Sequence, residues 1–291
     1  MKVRSPIAAG RFYPAYENEC VSDINDCISR ACDIPKSEYP VIAGIVPHAG
    51  WFFSGAAAVK VFLAAIESGD VETFIFLGAC HASFSRGFDV YDGDGWQSPF
   101  GIAKINREIS EAIAESHPNA RFNNEPHMHE HSIEVQVPFV QYLSGDSTIA
   151  AVSVPPVDQA PEFGESLADV VNDYAGGRAV VIASTDLTHY GSSYGFTPAG
   201  KGEEGVKWAA EQNDKKFIDL ALKMDSSALL EHANAMQAAC GGGAAAAAVS
   251  FAAAMGRRNG VLLEQTNSAR IMRERLGRES SDSVGYAAIV Y

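Results

Sequence analysis

Four polar residues able to bind a metal or carry a proton follow apolar runs in this 291-residue chain. His48 follows residues 41–46 and Pro47. His81 follows residues 73–77 and Gly78-Ala-Cys80. Asp186 and His189 follow residues 178–183. Continuous apolar runs of this length read as strands buried on both faces, as in a parallel sheet covered by helices. In open α/β sheets, ligands bind beyond the carboxyl ends of the strands. If the three runs are parallel neighbours, all four residues reach one edge of the sheet. Cys240 is a fifth candidate, since it precedes Gly241-Gly-Gly243 and an alanine-rich run to Met255. A thiolate at a helix start gains from free N–H groups and the helix dipole, which lower its pKa. Two neutral imidazoles and one anion can occupy one face of a metal and leave positions open for substrate or dioxygen. Here the anion would be a thiolate, which favours copper or zinc without excluding iron. A histidine after a strand is also a common hydrogen-bonded structural residue, and spacing alone leaves both readings open.

The segment His127-Met-His129-Glu130-His131 is a rival cluster. On a helix, His127 and His131 would share a face, as in zinc hydrolases, but the pattern is HxHxH rather than HExxH and Glu130 is misplaced for a general base. His127 and His129 read as an exposed polar turn. His131 differs, because Ser132-Ile-Glu-Val135 carries apolar periodicity into the core. His117 and His232 read as surface residues without partners. There is no P-loop, no GxGxxG after a strand and no GxSxG elbow. Gly241-Gly-Gly243 lacks the Lys and Ser/Thr that phosphate chemistry needs.

The elements that must position these residues follow from the patterning. Residues 1–16 form an extended lead-in, with Arg11-Phe-Tyr-Pro14 as an aromatic anchor. Helices are expected over 17–32, 54–67 (capped by Ser54), 105–116, 163–174 (closed by Gly176-Gly177), 203–224, 225–233 and 244–255. Residues 36–40 read as a connector. Strands are expected over 41–46, 73–77, 148–154, 178–183, 261–265 and 286–291, with one or two short ones within 88–100. Residues 127–143 are ambiguous, since Pro138 would kink a helix there. Residues 191–202 read as a flexible loop. Alternating strands and helices indicate an α/β fold. We expect a single domain over residues 1–291, with a central, mostly parallel or mixed sheet and helices on both faces.

Composition narrows the function classes. Apolar residues make up 47% of the chain, enough for a large core. The net charge of −14 argues against a nucleic-acid groove and favours a small-molecule or protein partner. No secretory h-region follows Met1, and the apolar run 244–254 is too short to span a bilayer. No membrane partner is therefore expected. The five cysteines, Cys20, Cys27, Cys32, Cys80 and Cys240, include no CxxC pair, which fits a reducing cytoplasm. Cys20 and Cys27 read as small buried hydrophobes.

Several motifs occur together and in a distinctive order. They are Ala9-Gly-Arg-Phe-Tyr-Pro14, Val46-Pro-His-Ala-Gly-Trp51, Leu77-Gly-Ala-Cys-His81, Glu130-His-Ser-Ile-Glu134, Ser184-Thr-Asp-Leu-Thr-His189 and Cys240-Gly241. With them the chain resembles, from about residue 3 to 291, the Memo family, named after the mediator of ErbB-driven cell motility. Its prokaryotic members are called AmmeMemoRadiSam system protein B. That family is in turn similar to class III extradiol dioxygenases of the LigB type. The resemblance implies a LigB-like mixed sheet with helices on both faces. It also implies a metal pocket in which a cysteine replaces the dioxygenase glutamate. Carried over residue by residue, the implied metal ligands are His48, His81 and Cys240. His189 would be the general acid/base, paired with Asp186, and His131 would line the pocket or orient a ligand. The segment after the second strand usually reads Gly-Pro-x-His. Here it is Gly78-Ala-Cys-His81, and Cys80 beside the ligand reads either as a small buried residue or as a soft extra ligand. The family's Cys-Gly-Arg or Cys-Gly-x-x-Pro is Cys240-Gly-Gly-Gly243 here, which removes a charged contact.

Three functions are consistent with these residues. The first is a non-haem, metal-dependent oxidoreductase of extradiol type, with iron ahead of copper or zinc as the metal, acting on a catechol-like or peptide-derived substrate. The second is a non-catalytic metal- or peptide-binding accessory module with a protein partner. The third is a metal-dependent hydrolase using Asp186.

Overall fold

A computed structural model describes residues 1–31, 34, 39–81, 85–176 and 178–291. Cys32, most of the 36–40 connector and Gly177 lie outside the described residues. The strands are β1 (Val3–Arg4), β2 (Ala43–Val46), β3 (Thr73–Gly78), β4 (Phe88–Val90), β5 (Gly95–Ser98), β6 (Gly101–Lys104), β7 (Ala120–Phe122), β8 (Thr148–Ser153), β9 (Ala179–Ser184), β10 (His189–Tyr190), β11 (Val261–Asn267) and β12 (Ser283–Val290). The helices are α1 (Glu17–Arg30), α2 (Trp51–Ser68), α3 (Arg107–Glu115), α4 (Glu125–Met128), α5 (Val137–Ser144), α6 (Ala160–Tyr174), α7 (Glu203–Trp208), α8 (Lys215–Leu222), α9 (Ser226–Met236), α10 (Gly242–Ala254) and α11 (Ser268–Leu276).

The large sheet runs β10-β12-β2-β9-β3-β8-β4-β7, with β11 also paired to β12. Its centre, β2-β9-β3-β8, is parallel, as the unbroken apolar runs require. β12 runs antiparallel to β2, and β4 antiparallel to β8, so the whole is mixed. Each face buries its own core, one built on α6, α8, α9 and α10, the other on α1, α2 and α5. A three-stranded sheet, β1-β5-β6, gathers the amino-terminal residues.

Helix α10 is almost wholly alanine and glycine because it is covered on all sides. It crosses α6 so closely that a Cβ on Gly164 would strike the Ala247 carbonyl. Helix α2 is long and apolar enough to cross a membrane by length and composition, yet 67% of it is buried inside the protein as a core helix.

Several sequence expectations need correction. Ser54 does not cap α2. The helix starts three residues earlier, with Gly50 at the cap position, and the Ser54 hydroxyl donates instead to the Ala49 carbonyl at 3.0 Å. Pro138 does not kink a helix, because it sits in the first turn of α5, where its missing N–H costs nothing. Helix α11 was not anticipated. Asn267 caps it by accepting from the Arg270 N–H at 2.8 Å, and Gly277 ends it at φ +62°.

Candidate metal centre

The parallel centre of the sheet delivers His48 and Asp186 together. β2 and β9 are neighbours, with Val46 opposite Ser184, so the residues that follow leave the sheet side by side. Asp186 Oδ1 accepts from the His48 N–H at 2.7 Å and from the Ala49 N–H at 3.2 Å. Asp186 thus holds the turn that aims His48. Its carboxyl is buried and its pKa is raised, chiefly by burial. The Ser184 hydroxyl donates its one proton to the Ser132 carbonyl at 2.7 Å, so its oxygen accepts from His48 Nδ1 at 3.2 Å. Gln136 Nε2 donates to the Pro47 carbonyl at 2.8 Å and to Ser184 Oγ at 3.3 Å. With Nδ1 occupied, Nε2 of His48 faces Cys240 Sγ at 3.2 Å.

His81 leaves the end of β3 and is oriented by Glu130. The buried Glu130 carboxylate accepts from His81 Nδ1 at 3.0 Å and from the His81 N–H at 2.9 Å. It also accepts the N–H groups of His131 and Ser132, both at 2.8 Å. Burial would raise the Glu130 pKa, but His81 and these N–H donors hold it well below the usual carboxylate range. An ionised carboxylate can only accept, so His81 carries its proton on Nδ1 and keeps Nε2 for a ligand. Sequence reasoning set Glu130 aside because it does not fit HExxH. Its burial beside His81 depends on a strand end far away in the sequence, which no local pattern reveals.

His131 completes the group. The imidazoles of His48, His81 and His131 each offer a nitrogen, and the three nitrogens lie within 4.8 Å of one another. The His81 and His131 rings are stacked at 5.1 Å, and both stand nearly perpendicular to His48. Phe12 covers His131 with ring centroids 4.5 Å apart. This group can hold a metal ion. Cys240 reaches it because its N–H donates to the Asp186 carbonyl at 3.2 Å, and the Gly241 N–H donates to Thr185 Oγ1 at 2.8 Å. A Cβ on Gly241 would press against the Ser184 carbonyl and Thr185, so a glycine lets the thiol come this close.

The electrostatics tie the thiol to the imidazoles. Burial would raise the Cys240 pKa, yet His48, His189 and His81 hold it well below that of an ordinary thiol. Burial would lower the pKa of His48, but Cys240 and Asp186 outweigh it and lift it to about 9. His81 rises to about 10, where burial is overcome by Cys240 and Glu130. His131 is pushed down to about 4, by burial and by its cationic neighbours His48 and His81. Without a metal the pocket is therefore a thiolate among imidazolium ions, with a neutral His131. A cation that accepts nitrogen and sulfur would replace those protons.

His189 lies on β10 at the rim. Its Nε2 is 3.9 Å from Asp186 Oδ2 and has no hydrogen-bond partner among the described residues. Its ring rests on Tyr194 at 5.1 Å. The expectations for three other histidines fail. His127 is not exposed; it is fully buried, with Nε2 donating to the Asp89 carbonyl at 2.8 Å. His117 is also buried, where Nδ1 accepts from the Asn119 N–H at 3.1 Å and the ring packs on Phe88. His232 is half-buried and has a partner, the Asn213 carbonyl at 3.0 Å.

A buried ion pair ties the amino-terminal strand to the Glu130–Glu134 motif. Arg4 and Glu134, each about 2% exposed or less, pair at 2.7 Å. Arg4 also donates to the His127 and Glu130 carbonyls, at 2.7 and 2.6 Å. Glu134 accepts from the Ala8 N–H at 2.7 Å and from the Tyr13 hydroxyl at 3.0 Å. The amino-terminal segment that carries Phe12 is thereby bound to the segment that carries His131.

The comparisons with known proteins agree with this architecture. A family profile described as Memo-like protein matches residues 4–290. A MEMO1 family protein of Thermococcus onnurineus is 32% identical over 297 residues, covering 99% of each chain. One from Pyrococcus abyssi is 33% identical over 298 residues, again covering 99% of each. Among solved structures, an uncharacterized protein from Escherichia coli K12 is similar in fold, with a TM-score of 0.50 and 12% identity. That match covers 84% of this chain and 99% of the other. The chain belongs to the Memo family.

Proposed function

We propose that this protein is a metal-dependent oxidoreductase of extradiol type, with the metal held by His48, His81 and Cys240. The observation that carries this reading is the convergence of a thiolate with imidazoles whose Nδ1 atoms already have acceptors. Cys240 Sγ and His48 Nε2 are 3.2 Å apart. Two donors on one tetrahedral metal lie about 3.5 Å apart, given metal–sulfur and metal–nitrogen bonds of about 2.3 and 2.0 Å. The same contact therefore suits a shared metal. His131 lines the pocket and is available as a further nitrogen donor.

When bound, a ferrous ion supplies a redox-active Lewis acid; the protein's residues do the rest. His189 Nε2, at the rim of the pocket and without a hydrogen-bond partner among the described residues, is placed to take the proton of a substrate hydroxyl. Asp186 steadies the resulting imidazolium from 3.9 Å while fixing the His48 turn. Phe12 and Tyr194 flank the histidines, a lining that suits a flat catechol-like or peptide-derived substrate.

The test is oxygen uptake by the full chain, loaded anaerobically with iron and given a panel of catechols, beside His48→Ala and His189→Ala. Uptake that needs both iron and His189 supports the reading. No metal-dependent uptake, with metal still bound, leaves a metal- or peptide-binding module. Unchanged metal content in Cys240→Ser removes Cys240 from the ligand set.

A further inference from the structure

Behind the His189 turn, α7 passes into α8 through a π-helical segment, Ala209–Asp214. Such insertions are uncommon and recur at functional sites. This one buries two polar side chains, Asn213 and Asp214, at 2% and 1% exposure. Asn213 Nδ2 donates to Thr188 Oγ1 at 2.9 Å and to the Met236 carbonyl at 3.0 Å. Thr188 immediately precedes His189. Met236 ends α9, and the chain then turns through Gln237, at φ 47°, to reach Cys240. One side-chain amide thus spans the two segments that bring His189 and Cys240 to the pocket. Its own Oδ1 is buried with no partner among the described residues. The two donated bonds therefore fix the orientation of this amide.

Asp214 secures the same turn. Its Oδ1 accepts from the Thr188 N–H at 3.0 Å. Its Oδ2 lies against Gly285, where a Cβ would collide with it. Gly285 in turn accepts from the Leu187 N–H at 2.8 Å and donates to the Thr188 carbonyl at 3.0 Å.

We propose that Asn213 is a positioning residue that holds the Cys240 arm and the His189 arm in register across the metal pocket. For the Cys240 arm this rests on the ligand set proposed above. The test uses the full chain loaded with cobalt(II), the proton–nitrogen NMR signals of the His189 ring, and melting curves to establish folding. Wild-type protein should show a thiolate-to-cobalt absorption band. Asn213→Ala should bind cobalt about tenfold more weakly, a loss of the size seen when a ligand's supporting residue is removed. It should also shift the band and move the His189 signals. Thr188→Val loses only the hydroxyl, so it should move the His189 signals while lowering cobalt affinity less than Asn213→Ala does. A folded Asn213→Ala with wild-type affinity, band and His189 signals overturns the proposal. If that variant does not fold, Thr188→Val decides, and unmoved His189 signals overturn it. A wild-type protein without the band counts against Cys240 ligation alone. The coupling is then read from the His189 signals and the alkylation rate of Cys240, and no change in either in Asn213→Ala overturns it.

Discussion

At the scale of single residues, the metal pocket depends on acceptors that fix each imidazole. Glu130 does this for His81, and Ser184 does it for His48. Glu130→Gln keeps the size but weakens the acceptor, and metal affinity should fall by about 10- to 100-fold in competition with a chelator. A cooperative melt close to wild type would show that the loss is local. The pocket's protons set a second expectation. Without metal, His48 and His81 hold their protons up to about 9 and about 10. A metal must displace those protons, so binding should tighten as pH rises from neutral toward those values, with protons released. Calorimetry in two buffers of different ionisation enthalpy measures that release; its absence would place the metal away from these imidazoles.

At the scale of elements, the amino-terminal strap and the α6–α10 crossing are the two places where one contact controls much. Arg4 and Glu134 join β1 and the Phe12 segment to the chain around His131. Removing one partner of a buried pair leaves an uncompensated charge and costs about 3–5 kcal/mol. Glu134→Ala should therefore unfold at markedly lower urea, while an Arg4→Met, Glu134→Leu double variant should recover part of the loss. At the other face, Gly164 lets α6 lie directly on α10. Gly164→Ala should cost about 1–3 kcal/mol through overpacking, read from the same urea curves, without altering metal affinity.

At the scale of the whole molecule, two buried groups oppose each other in acid. His127 is pushed down to about 4 by burial. An unfolded chain protonates this histidine below about 6.5, whereas the folded one does so only near 4. Its contribution is thus complete above the unfolded value and is lost as pH falls from there toward 4. Asp214 is raised to about 7, again by burial. Its folded form holds a proton that the unfolded chain gives up near 4, so it works the other way, costing stability as pH rises through the same window. The two partly cancel in the wild type. His127→Gln keeps a donor for the Asp89 carbonyl and removes the titration. The pH dependence of stability should therefore differ between the two proteins by about 3 kcal/mol across that window. Parallel curves would mean that His127 takes up its proton equally in both states.

The α/β alternation, the buried parallel strands and the ends where His48, His81 and Asp186 emerge were legible from residue order. Apolar runs of strand length report burial directly, and Pro47 and Gly78 mark where those runs stop. The motifs also carried the Memo family membership. Element boundaries slipped where a local signal had two uses: Ser54 as a cap or an inner helix residue, Pro138 as a break or a first turn. The roles of Glu130, Ser184, Gln136 and Asn213 were not legible, nor was the burial of His127 and His117. Each depends on a partner dozens of residues away, brought near by strand pairing and helix packing. A side chain's type shows what it can donate or accept; only the folded chain fixes which group it meets, and so which nitrogen of His48 or His81 is left for a metal.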